Sequence, residues 1–270
     1  METFQLIGYA GAFIIGLVMG ITGSGGSAMA VPIFNYIFLM DMHSTTSHSL
    51  FVVGMSAATG VLLNYKKRKI DWRLALYLSI PMVVSVFLVR KYILPMIPTV
   101  LFEVNNMGLQ ITRDLVIMVF FGLLMAVGAI LSIKRGKTSY SSTSEIKKGP
   151  IFILLMGVGI GAITGITGTG GGFLIIPVLV VFLRCSMKKA IVTSLMIIAL
   201  KSFVGFMGDL GSVDIDWILL LGFTAISITG LAIGIYSSQR IGESNLKKGY
   251  AYVILSISIL VLGRELIHLI

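Results

Sequence analysis

Thr22-Gly23-Ser24-Gly25-Gly26-Ser27 occurs a second time, as Thr167-Gly168-Thr169-Gly170-Gly171-Gly172, and this repetition decides how the chain is read. Each copy closes an apolar run with spaced glycines, Gly16 and Gly20 before the first, Gly161 and Gly165 before the second. Each is followed five residues later by a proline, Pro32 or Pro177. All these pairs are 145 positions apart, and the same spacing continues through Met42/Met187, Ser49/Ser194, Leu50/Leu195, Gly60/Gly205, Asp71/Asp216 and Trp72/Trp217. Two apolar segments often match by chance in their aliphatic residues. They do not match by chance in Gly, Pro, Asp and Trp together, so the chain is an internal duplication.

Working outward, 56% of the 270 residues are hydrophobic and 12% are charged, with a mean hydropathy of +1.00. Soluble domains carry about 25% charged residues, so the composition is that of an integral membrane protein. The apolar runs have the length of helical spans and not of barrel strands. They extend over about 4–40, 49–64, 74–89 and 115–133, and then about 151–183, 191–207, 217–236 and 250–262. The segment 134–149, rich in Ser, Thr and Lys, is the one clear linker. The expected organisation is therefore a first transmembrane repeat over 1–133, a cytoplasmic linker over 134–149 and a second repeat over 150–270. The N-terminus carries Glu2 and no basic region, and reads as the first helix of the mature protein. Cys185 is the only cysteine, which excludes an internal disulfide and a thiolate zinc cluster. No cofactor or metal is expected.

The net charge of +10 points to membrane orientation and not to nucleic acid. Tyr65–Arg73 holds five Lys/Arg, whereas its counterpart around Asp209 to Asp216 holds three Asp and no cation. Equivalent loops of opposite bias belong on opposite sides of the bilayer. Inverted repeats need an odd number of crossings per half. That parity follows if each Gly-interrupted stretch is a hairpin or broken helix that enters and leaves on one side, followed by three transmembrane helices. The expected fold is thus an all-α polytopic membrane protein of two inverted-topology repeats. With both termini outside, 16 of the 21 Lys/Arg fall in inner loops. Arg90 to Asp114 is expected to be an outer loop.

Irregular backbone at membrane depth must line protein or a polar cavity. Helix N-termini that begin just after the glycines favour an anion, and inverted repeats place substrates where such termini cross. Hydroxyls of Thr22, Ser24, Ser27, Thr167 and Thr169 can add donors, beside the backbone of Gly23, Gly25, Gly26, Gly168, Gly170, Gly171 and Gly172. His48, Ser49, Thr193 and Ser194 begin the following helices, where capping is the competing role. Lys201 sits mid-helix in LMIIALKSFVGF, where a charge costs at least about 2.5–3.5 kcal/mol. It reads as a cation beside a substrate anion or as a group coupled to proton movement. Its counterpart is Ser56. Neither copy has the Gly-Lys-Ser/Thr of a phosphate-binding loop.

The two hexapeptides, each after a glycine-spaced apolar run and before a proline, resemble the TauE/SafE sulfite exporter family over nearly the whole chain. The resemblance implies a cell-membrane permease moving sulfite, sulfonates or other small anions, generally outward. It carries over to the hexapeptide glycines and to Ser49, Thr193 and Ser194. Ser27 departs from the pattern, since the second copy has Gly172 there. A secondary transporter is expected, with a passive anion channel or a carboxylate permease as alternatives. An intramembrane enzyme is disfavoured because no His, Cys or carboxylate cluster lies within the spans.

Overall fold

The computed structural model describes residues 2–64, 70–98, 100–104, 109–134, 149–168 and 171–269. The basic tip 65–69, most of the expected linker (135–148), and Thr169 and Gly170 lie outside the described residues. Helix α1 (Glu2–Thr22) breaks at the first Gly-rich stretch and resumes as α2 (Ser27–Tyr36). Then follow α3 (Met42–Asn64) and α4 (Trp72–Leu88), which continues through a wider π-helical turn, Val89–Ile93, into α5 (Leu94–Met96). Two short strands, β1 (Val100–Val104) and β2 (Leu109–Thr112), pair antiparallel before α6 (Arg113–Lys134). The second half repeats the order: α7 (Pro150–Thr167), α8 (Gly172–Pro177) with a π-helical turn Val178–Phe182, α9 (Met187–Asp209), α10 (Trp217–Ser238) and α11 (Glu243–Leu269). Three helices in each half are long and apolar enough to span a bilayer: α3, α4 with its continuation, and α6, then α9, α10 and α11. The fold is an all-α polytopic membrane protein carrying one small β-hairpin.

Local chemistry sets the breaks. Asp71 caps α4 by accepting from Leu74 N–H at 3.2 Å, and its counterpart Asp216 caps α10 through Ile218 and Leu219 N–H. Pro150 opens α7 in the first turn, where no hydrogen bond is lost. The short arms both end in a left-handed residue, Leu39 (φ 53°) and Arg184 (φ 54°). These two are also 145 positions apart, so the duplication is written in the backbone as well as in the side chains.

Packing exchanges partners between the halves. α1 lies along α10 while α7 lies along α4, and α3 and α9 cross at the centre. α1 and α10 approach so closely that a Cβ on Gly16 would sit 1.8 Å from Ser227 O. At the equivalent crossing a Cβ on Gly161 would sit 2.7 Å from Met82 O. Small residues allow such approaches between membrane helices.

Three expectations from sequence are corrected. Arg90 is not in a loop, because α4 runs on through its π-helical turn and buries the Arg90 side chain completely. Asp209 ends α9 inside the protein and not in an exposed acidic loop. The segment after Pro98 carries the β-hairpin, where proline and asparagine alone indicated a loop.

At the loop between α3 and α4, Asp71 pairs with Lys189 at 2.9 Å. Burial pushes the Asp71 carboxyl up, but Lys189 and the capped N–H outweigh it and hold the carboxyl below its usual range. The pair therefore stabilises the fold above the ordinary carboxylate pKa and is lost as pH falls through the lowered value. Both groups are partly exposed, which limits the effect to below about 1 kcal/mol. Asp71→Asn keeps the cap and loses the charge. It is expected to lower the melting temperature by at most about 4 °C at neutral pH, with the difference vanishing in strong acid.

Candidate functional site

The two Gly-rich turns meet. A Cβ on Gly172 would lie 2.5 Å from Ser24 Cβ and 2.7 Å from Ser27 Oγ, so the second turn packs directly on the first. Gly23 (φ 85°) and Gly168 (φ 61°) supply the left-handed bend in each copy. Both also press on the start of the opposite central helix. A Cβ on Gly23 would lie 2.7 Å from Ile191 Cα in α9, and one on Gly168 would lie 2.0 Å from Thr46 Cβ in α3. Gly171 (φ 60°) has Lys201 Nζ at 2.5 Å from its hypothetical Cβ. Segments far apart in sequence, both turns, α3 and α9, thus pack against one another at one place.

Several hydroxyls there are already committed to the backbone. Thr22 Oγ1 donates to Val18 O at 2.7 Å and accepts from Gly25 N–H at 2.9 Å. Ser27 Oγ donates to Ser24 O at 2.7 Å, and Thr167 Oγ1 to Ile163 O at 3.1 Å. Ser194 Oγ donates to Ile191 O at 2.8 Å and also reaches Gly23 O at 3.4 Å. Thr193 Oγ1 accepts from Asp71 N–H at 3.4 Å. Hydroxyls within helices satisfy themselves this way on carbonyls three or four residues back. The first N–H groups of α2 are likewise used: Ser27, Ala28 and Met29 bond to the carbonyls of Ser24, Gly25 and Gly26. In this arrangement α2 therefore presents fewer open donors than its sequence suggests.

Other groups are uncommitted. Ser24 Oγ, Ser49 Oγ, Ser202 Oγ and His48 Nε2 are buried with no hydrogen-bond partner among the described residues. His48 Nδ1 lies 2.7 Å from Ser44 O. A carbonyl only accepts, so Nδ1 carries a proton and Nε2 is the free position. Lys201 is 1% exposed. Its ammonium makes no ion pair or hydrogen bond among the described residues, and its counterpart Ser56 instead meets Ser227 Oγ at 3.1 Å. No group of three or more His, Cys, Asp or Glu able to hold a metal occurs among the described residues.

A polar cluster missed by sequence reasoning borders the second turn. Arg90 Nε and Nη2 bond Asp209 at 2.8 and 2.5 Å. Nη2 also donates to Thr46 Oγ1 at 2.8 Å and Nη1 to Gly165 O at 3.3 Å. Ser47 Oγ donates to the same carboxylate. The one available signal was Asn64, the counterpart of Asp209, since both put a polar residue at the end of a central helix.

Comparison with known proteins places these features in context. Residues 8–261 match the family described as Sulfite exporter TauE/SafE. A probable membrane transporter protein of Xylella fastidiosa is 24% identical, the alignment covering 93% of this chain and 92% of that one. One from Methanocaldococcus jannaschii is 28% identical over 85% and 82% of the two chains. One from Haemophilus influenzae is 25% identical over 96% and 98%.

Proposed function

The chain belongs to the sulfite exporter TauE/SafE family of membrane transporters, and we propose that it is a secondary exporter of small sulfur-containing anions such as sulfite or organosulfonates. The observation that carries this reading is Lys201, a buried amino group without a counter-charge among the described residues, held against the second Gly-rich turn. An amine in an apolar interior carries a charge at least cost with an anion beside it, and intramembrane ionisable residues mark substrate paths. Arg90 does not fill this role, because Asp209 neutralises it. Ser24, Ser49 and Ser202 are buried neutral donors whose hydroxyls are unspent among the described residues. The anion would bind between the turns, which are 145 residues apart in sequence and in contact in space.

The exchange of helix partners between halves supports the inverted-repeat reading, in which one half rocks against the other around the bound anion. His48 Nε2 is the candidate proton acceptor for coupling to a proton gradient. The cell membrane is the proposed location, and the family's members are transporters, not enzymes.

Two measurements test this. Purified protein in proteoliposomes loaded with sulfite should show counterflow, uptake of tracer being accelerated by substrate on the other side. High flux with no counterflow would instead make it a channel. Single cysteines at Lys67 and Ser212 should react with an impermeant thiol reagent from opposite faces. Reaction of both from one face would sink the inverted topology.

A further inference from the structure

We propose that Arg90 and Asp209 form a one-sided gate, a latch that closes the path to the site on the face carrying Ser212 and has no equivalent on the other face. This rests on the transport reading above. Four elements end at the pair: the π-helical extension of α4, the end of α9, the start of α3 and the end of α7. The guanidinium is fully buried and each of its nitrogens is used, while Asp209 is held by Ser47 as well. Gly168, in the second Gly-rich turn, packs on Thr46, which is itself a member of the cluster.

The duplication gives each member of this cluster a counterpart 145 positions away at the opposite end. There Gly23 packs on Ile191 just as Gly168 packs on Thr46. The positions that match Arg90, Asp209, Thr46 and Ser47 are Ile235, Asn64, Ile191 and Val192. All four are buried, and none is charged. Among the described residues Asn64 bonds only its own helix, through Nδ2 to Gly60 O at 2.9 Å, and its Oδ1 has no partner. One end is therefore tied across four elements by a fully buried charged network, whereas at the other the matching positions are uncharged and the ion pair present, Asp71–Lys189, is partly exposed and joins only the starts of α4 and α9. A bidentate guanidinium–carboxylate pair is either made or broken, which makes it a two-state element of the kind that gating needs.

Labelling kinetics test the latch without reference to any substrate. In a Cys185→Ala background, a single reporter cysteine at Ser49 is reacted with an impermeant methanethiosulfonate applied to one face at a time. Ser212→Cys identifies the latch face. Asp209→Asn and Arg90→Gln are each expected to raise reporter labelling from that face at least tenfold and to leave the opposite face within twofold. Ser47→Ala, a milder change that spares folding, is expected to give about a threefold rise on the same face. Asn64→Leu should leave the latch face unchanged. Unchanged labelling in the folded variants overturns the proposal, and so does an equal rise on both faces, which general loosening would give. Failure of sulfite counterflow would remove the substrate assignment while leaving these rates to decide the latch.

Discussion

Replacing Lys201 by methionine is expected to make the protein more stable and a much poorer transporter. The two side chains are close in length and flexibility, so packing is nearly conserved. What disappears is a chargeable amino group buried without a partner among the described residues. Relief of that burial should raise stability by about 2 kcal/mol or more, read as a higher midpoint in thermal unfolding in detergent. The same group is the proposed anion partner. Hydrogen bonds to charged groups contribute about 1.5–3 kcal/mol, so sulfite affinity should fall roughly 10- to 100-fold. A variant with wild-type affinity would remove Lys201 from the site. A variant that is both weaker in binding and less stable would show that Lys201 has a structural partner.

Gly16→Ala is expected to be the most damaging single methyl group in the membrane region. Its Cβ would lie 1.8 Å from Ser227 O and 2.8 Å from Leu231 N, both backbone atoms that cannot rotate away. α1 and α10 must then separate along their whole crossing, where Gly20 also lies against Leu231 O. Overpacking of this kind costs about 1–3 kcal/mol, sometimes more, and here it would be read as loss of monodisperse protein on size exclusion. Gly161→Ala, with 2.7 Å to Met82 O, should cost less. Gly159→Ala has nothing within 4 Å and should be neutral or slightly stabilising, because alanine favours helix. Equal effects at Gly16 and Gly159 would contradict the close crossing.

The repeat was legible because it is written in residues that apolar spans do not share by chance. Gly16/Gly161, Pro32/Pro177 and Asp71/Asp216 fix the register, and the structure adds matching caps and a matching left-handed pair at Leu39 and Arg184. The outlying Lys201 was legible for the same reason, as a polar residue in an apolar pattern. Arg90 and Asp209 were not. Each closes an apolar run where pattern alone indicates a loop, and they find each other across 119 positions, a distance that only tertiary packing bridges. Nor could sequence say which hydroxyls are spent. Thr22 and Ser24 have the same donor chemistry, yet one bonds its own helix and the other is left unpartnered, a difference made by where the helix stops. The hairpin β1–β2 was hidden because its strands follow two prolines and are too short to declare themselves.

The exchange of partners between α1 and α10, and between α7 and α4, bears on how such a protein is born. Helix α1 carries a glycine face whose mate, α10, is not translated until some two hundred residues later. Until then that face lacks the helix it is shaped to fit. A chain of half this length would never find its mate within itself, and could complete its packing only by taking the matching helix from a second copy.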